Sequence, residues 1–466
     1  MSKKLLIGVG AVIVIVVILV VARIPRHDPE IRDWYDLHAV RYHLGRSYVL
    51  MNDLDATTAG YEELAGPRAN EGKGWQPVGA WRSAFTGSFD GQGYEIRDLF
   101  INRPDEEYVG LFGVVDEGGL SENVGVVGVN VTGERVVGGL AGDNSGTLNN
   151  SYSSGSVTGD DAVGGLTGVN VGALSNCYST CSVTGGDYAG GLVGILPIKK
   201  ILLLDHSSGG TTGAARVGDS AGYNAPGTVS NSYATGNVIG GECVGGLVGS
   251  SAGYVSNSHA AGNVTGDSSV GGLVGDKLLG TVSSSYSTGS VTSNEFVGGL
   301  VGYLALGIVR NSYSIGSVTG KECIGGLVGW NRDGTVSNSY SSSNVIGYRY
   351  VGGLVGRVGW SAHSWSGYVS ECYSIGEVVG HENVGGLIGW LDRGEVTDSF
   401  WDIATSGKDL SHGGIGKTTV DMMDIATFAG SGWDIVAVAP GETKPTCAWN
   451  IVDGETYPFL SWESVV

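Results

Sequence analysis

The side chains that could do chemistry are few and dispersed. The eight histidines stand at 27, 38, 43, 206, 259, 363, 381 and 412. A zinc-peptidase helix needs His-Glu-x-x-His. His381-Glu382 is instead followed by Asn383, Val384 and Gly385, so it reads as part of a turn. The stretch GGIGKTT, residues 413–419, imitates a phosphate-binding loop, but the glycine required five residues before Gly416 is Ser411. No strand-then-helix context surrounds it, and it reads as a loop.

Two sets of residues recur at regular spacing. Glu107, Asp161, Asp187, Glu242, Glu295, Glu322 and Glu382 each stand two residues before a Val, Ile or Ala. Arg135, Ala215, Ser268 and Arg349 interrupt the set. Hard cations take carboxylate oxygens, but no Asp-rich calcium loop is present, so the set reads as a solvated face with no metal site. The second set follows each Gly-Leu-Val-Gly phrase: Asp143, Val169, Ile195, Tyr223, Ser250, Asp276, Tyr303, Trp330, Arg357 and Trp390, with Trp360 and Trp365 in a nearby insertion. Read as a turn with outward rings, its aromatic members Tyr223, Tyr303, Trp330, Trp360 and Trp390 form a candidate strip for a glycan or protein surface.

Spacing of this kind requires a repeating scaffold, and composition agrees. Gly supplies 83 of 466 residues, more than twice the usual share of about 7%. The every-third-residue pattern of collagen is absent. Charged residues are 15%, below the usual ~25%, and Ser, Thr, Asn and Val take their place, as suits short strands and tight turns. A net charge of −20 without a basic run excludes nucleic acid as a partner. Six cysteines in so long a chain make no disulfide framework. Cys243 and Cys323 hold the same repeat position three repeats apart, roughly 14 Å at strand spacing, beyond the ~7 Å limit for a bridge. A local Cys177–Cys181 pair stays open.

Residues 5–22 form an uninterrupted apolar run, roughly 27 Å long as a helix. It exceeds the apolar core of a cleaved signal peptide and reads as a transmembrane anchor. The alternative, cleavage and secretion, also delivers the rest of the chain across the membrane.

The repeat is plainest in GGLVGWNRDGTVSNSYSSSNVIG, residues 325–347. Its Leu recurs at 111, 140, 166, 192, 247, 273, 300, 327, 354 and 387. Most steps are 26 or 27 residues, and the step from 192 to 247 is 55. The phrase VGDSAGYNAPGTV, residues 217–229, splits that step in two, which implies a degenerate rung at 195–216. A smaller insertion of about six residues lies near Ser361 to Trp365. Strand candidates punctuated by Gly, Asn and Ser, without helical periodicity, predict an all-β parallel β-helix of about eleven rungs. Tyr152, Tyr178, Tyr233, Tyr286, Tyr313, Tyr340 and Tyr373 share one column, with His259 and Phe400 substituting. Asn150, Asn176, Asn231, Asn257, Asn311 and Asn338 share another, two residues earlier. Stacked, they are expected to form aromatic and amide ladders. Which strand face is interior stays open.

The phrase resembles the GLUG-motif repeats of bacterial and archaeal surface proteins, found in adhesin-like proteins and in some immunoglobulin-A-cleaving metallopeptidases. GWQPVG (74–79) and FTGSFDGQGYEIRDLFI (85–101) look like that family's lead-in. SFWDIATSG (399–407), GGIGKTT, GWDIV and YPFLSW look like its closing segment. The resemblance covers roughly residues 45–466 and implies a scaffold more than an activity.

The expected organisation is a basic segment at 1–4, the anchor at 5–22, a linker at 23–33, an N-terminal cap at 34–108, repeats at 109–399 and a C-terminal cap at 400–466. The expected function is that of a membrane-anchored, extracytoplasmic, adhesin-like structural protein, without catalytic residues, cofactor or metal. The alternative is a polysaccharide-active β-helix enzyme, which would need an acid, a base and a cation converging in one groove.

Overall fold

The structure, a computed structural model, describes residues 29–197 and 227–463. It is a parallel β-solenoid of ten full rungs, each contributing one strand to a ten-stranded sheet that runs from Phe112–Val115 to Ile388–Leu391. One rung shows the plan. Strand Glu322–Gly325 leads through a Gly-Gly corner into Val328–Asn331, then Thr335–Ser337, then the short pair Tyr340–Ser341 and Asn344–Ile346. Each strand pairs in parallel with its equivalents above and below. A second sheet reaches thirteen strands by adding lead-in strands from the N-terminal cap, a stack roughly 60 Å long at strand spacing.

The Gly-Gly corner is dictated by close approach. A Cβ on Gly326 would stand 2.1 Å from the Gly353 carbonyl oxygen of the next rung, and one on Gly325 would stand 1.9 Å from the Val328 carbonyl oxygen. No side chain fits, and the period of glycine is the period of the rung.

The interior is decided by strand alternation. The Leu column from Leu111 to Leu387 is fully buried, as are Val229, Val255, Val282, Val309 and Val336 of the Thr-Val-Ser strands. The Ser/Cys column between Asn and Tyr also faces inward, from Ser151 and Cys177 to Cys372 and Ser399. Its hydroxyls are satisfied by the chain itself: Ser232 Oγ donates to the Ser230 carbonyl at 2.7 Å, and the Ser232 amide donates to Ser258 Oγ at 3.2 Å. All six cysteines are free, so Cys177 and Cys181 form no bridge. Among the described residues, one lysine lies wholly inside. Lys277 donates to Ser251 Oγ at 2.9 Å and to the Gly253 carbonyl, and burial pushes its ammonium down to about 7.

The N-terminal end is closed by helix Trp34–Ala39, capped by the Asp33 side chain. Trp34 and Trp75 plug the open core, their rings 5.7 Å apart. The Trp75 indole donates to the Leu111 carbonyl of the first rung at 3.1 Å.

The degenerate rung expected at 195–216 falls mostly outside the described residues, and the described rungs before and after it pair directly with each other. Leu174 pairs with Val229, Val183 with Val238 and Val193 with Val248, and the Leu192 amide donates directly to the Leu247 carbonyl at 3.0 Å. The rungs on either side of residues 198–226 are therefore neighbours, and the described rungs number ten. A 55-residue step of about two periods implies an intervening rung, but strand pairing, not chain length, decides which rungs are neighbours. The anchor expected at 5–22 lies outside the described residues. Among the described residues, no helix is long and apolar enough to cross a membrane.

Candidate functional site

Each rung bends twice through a left-handed residue, and the two bends build different outer surfaces. The first bend is the Asn column. Asn150, Asn176, Asn231, Asn257, Asn311 and Asn338 have φ between 46° and 54°, a conformation Asn adopts more readily than other non-glycine residues. This corrects the amide-ladder expectation. The column is there for backbone geometry, and side-chain bonds such as Asn150 Nδ2 to Asn123 Oδ1, 3.2 Å, occur near its start. The Tyr column does stack as expected: Tyr152, Tyr178, Tyr233, His259, Tyr286 and Tyr313 have centroids 4.7–5.1 Å apart and planes within 7°.

The second bend lies just before Val-Gly-Gly. Here Tyr108, Val136, Ala162, Tyr188, Cys243, Ser269, Phe296, Cys323, Tyr350 and Asn383 all have φ between 53° and 60°. The left-handed turn throws these side chains outward, into a groove shared with the column that follows Gly-Leu-Val-Gly. That column runs in strict parallel register, from Asp143 and Val169 through Ile195, Ser250, Asp276, Tyr303, Trp330 and Arg357 to Trp390. These are strand positions, not turn positions as expected. Ile195 pairs directly with Ser250, and Tyr223 lies outside the described residues.

The groove changes character along its length. Near the start Val136, Ala162 and Val169 fill it. In the middle Asp276 faces Cys243 and Tyr188, and burial pushes its carboxyl up to about 7. Over the last rungs Phe296, Tyr303, Cys323, Trp330, Tyr350, Trp360 and Trp390 form one aromatic cluster. Trp330 is its centre and is only 8% exposed. Phe296, Tyr303 and Trp360 surround it at 5.2, 5.4 and 5.6 Å, and its indole donates to the Gly359 carbonyl at 3.2 Å. Arg357 covers it at 5.0 Å and is held by Asp392 at 2.8 Å. Trp330 therefore packs rather than projects. What projects is the insertion. Trp360 and Trp365 bridge as a small hairpin whose tip, residues 361–364, is exposed. The tip stacks His363 on Trp365 at 4.8 Å, and Arg332 lies 4.0 Å from the Trp365 ring. Sequence reasoning found Tyr303, Trp330, Trp360 and Trp390, which the structure brings together. It missed Phe296, Tyr350 and Arg332, because the left-handed bend that aims Phe296 and Tyr350 into the groove has no glycine to signal it.

The acidic column is internally compensated at both ends. Arg135 sits between Glu107 and Asp161 at 3.6 and 2.8 Å, and Arg349 lies 3.6 Å from Glu382. The interrupting arginines are thus the neutralisers of the like charges beside them. Among the described residues, no group of three His, Cys, Asp or Glu side chains could hold a metal. The phosphate-loop look-alike forms strand Ile415–Lys417 against Phe400–Asp402 and helps close the C-terminal end.

A family model described as the GLUG motif matches residues 320–346, one complete rung. A candidate Gly-rich membrane protein of Evansella cellulosilytica is 40% identical over 119 residues, 24% of this chain and 13% of that protein. Halomucin of Haloquadratum walsbyi is 36% identical over 138 residues, 28% of this chain and 2% of that protein. The matched segments are thus small parts of those relatives. A candidate immunoglobulin A1 protease from Bacteroides ovatus aligns over 93% of this chain and 92% of that one, at 19% identity and a TM-score of 0.29. A score that low decides nothing about fold or activity. The chain is thus a parallel β-solenoid that carries the GLUG motif on the rung at 320–346, and it is similar in part to a Gly-rich membrane protein and to halomucin.

Proposed function

We propose that this solenoid is a non-enzymatic, adhesin-like surface protein. It stands outside the cell on a single anchor at residues 5–22 and binds glycan or protein surfaces through the aromatic–arginine patch of its last rungs. The observation that carries the reading is the hairpin at 359–366. It lifts His363 out of the stack, packed between Trp360 and Trp365 beside Arg332. Trp, Tyr and Arg on a firmly packed base are the composition of binding hot spots. Tyr303, Trp330 and Arg357 supply the base, so the hairpin is presented rigidly. The similarity to a protein named for the membrane supports the location, as does the apolar run.

The test is attachment of the purified chain to glycan arrays and to cell surfaces, with Trp365→Ala and Arg332→Ala variants. Loss of attachment at an unchanged melting temperature supports the reading. Attachment that survives both substitutions sinks it, and release of reducing ends from a bound polysaccharide would replace it with the enzyme reading.

A further inference from the structure

Over its C-terminal half, the tyrosine ladder is already a binding surface, and its ligand is the chain's own tail. Trp462 lies beside Tyr286 and Tyr313, with centroids 6.3 and 5.7 Å away and planes within 27° and 22°. Its indole N–H donates to the main-chain carbonyl of Asn311 at 3.1 Å. Further along, the Tyr340 hydroxyl donates to Glu463 at 2.9 Å, and the Trp449 indole donates to Asn338 Oδ1 at 3.0 Å. Under this cover Tyr340 and Tyr373 are 7% and 1% exposed.

The seat of Trp462 has three parts: two rings stacked on consecutive rungs, and the carbonyl of the left-handed Asn two residues before the second ring. Parallel register copies that seat onto rungs the tail does not reach. Tyr152 and Tyr178 stand with Asn176, Tyr178 and Tyr233 with Asn231, and Tyr233 and His259 with Asn257. Ring spacings are 4.7, 4.9 and 5.1 Å, against 5.0 Å at the occupied seat. The Asn φ angles are 54°, 49° and 49°, against 49°. These four rings are only partly buried.

We infer that the open half of the ladder docks an extended, tryptophan-bearing segment of a partner polypeptide, seated as the chain seats its own Trp462. Continuity with the occupied seats selects this occupant. A sugar ring packs on aromatic faces, but here each face is covered by the next ring, and the ladder turns edges outward. What is left to recognise a ligand is the slot beside two ring edges and an acceptor placed for an indole N–H. Beside the rings, Ser154, Thr180 and Thr235 hold the position that Thr288 holds at the occupied seat.

The probe is a synthetic peptide of residues 455–463, with a Trp462→Ala peptide as control, titrated onto the full chain by fluorescence anisotropy. Saturable binding is expected, at least tenfold weaker for the control peptide and for a Tyr178→Thr/Tyr233→Thr chain. Thr180→Lys and Thr235→Lys, at exposed positions that leave the ladder intact, should block it equally if the ring variants fail to fold. The proposal is overturned if no saturable binding occurs. It is also overturned if binding appears only after Trp462→Ala in the chain itself, which puts the peptide in the occupied seat. A neutral oligosaccharide binding these rungs in place of the peptide would overturn it too. So would dimerisation that disappears with Trp462→Ala, since the occupant would then be a second copy.

Discussion

The two left-handed bends of each rung share a backbone conformation and differ in everything else. At the first, Asn recurs and the rings beyond it stack in parallel. At the second, the left-handed residue is Tyr, Val, Ala, Cys, Ser, Phe or Asn, and the rings of the groove meet tilted or edge-on. A uniform column stabilises each rung by the same contact with the next, as nearest-neighbour stacking requires. A varied column cannot depend on like-with-like stacking. It must offset the cost of a left-handed side chain, about 1–2 kcal/mol per residue, by packing that differs from rung to rung. The same groove can therefore be aliphatic at one end and a Trp–Arg cluster at the other. The first bend is where the fold repeats itself, and the second is where this chain is individual.

The sharpest test of that contrast is Trp330→Ala. If the groove's packing offsets its strain, removing the central ring should lower stability by about 3 kcal/mol, read from denaturant midpoints. A loss under about 1 kcal/mol would mean the cluster is a loose surface feature. Next is Asn257, whose side chain serves the bend alone. Asn257→Ala should cost about 1–2 kcal/mol while Asn257→Gly stays near neutral. Equal effects would restore the amide-ladder reading. In the second bend, Ser269→Gly should raise stability by up to about 1 kcal/mol, since Ser269 has φ 55° and relief there is purely conformational. A loss instead would show that Ser269 is held by contacts its small size hides.

The smallest effect concerns pH. Burial lowers the pKa of His259, which stands between Tyr233 and Tyr286 in the ladder. A base whose pKa is lower folded than unfolded binds more protons unfolded, so stability falls as pH drops through and below the usual histidine range near 6.5. Melting temperatures from pH 8 to 5 should show that fall in the native chain more than in His259→Tyr, which restores the column. Identical profiles would remove His259 as the cause.

The rung was legible from the sequence because its requirements are steric and periodic. A Gly-Gly corner that admits no Cβ, a Leu that fills the lumen and a Tyr that stacks on Tyr leave the same letter at nearly every turn. The motif was legible for the same reason, as were Tyr303, Trp330, Trp360 and Trp390 as a set. The count of rungs was not. Residues 198–226 have the length of a rung, yet the hydrogen bonds from Leu192 to Leu247 and from Asn176 to Ser230 pass it by.

The interior face was not legible either, since a small Ser and a large Val can both be buried once their hydroxyls and methyls meet the right neighbours. Trp330 illustrates the limit best. Its place in a column follows from spacing, but whether it projects or packs depends on Phe296 and Tyr350, whose direction is set by a backbone angle and by no letter of the repeat. By itself, the sequence determined a glycine-cornered parallel solenoid and the columns it displays. The tertiary structure alone decided which rungs touch and which rings are covered, because those depend on hydrogen bonds and packing between residues far apart in the chain.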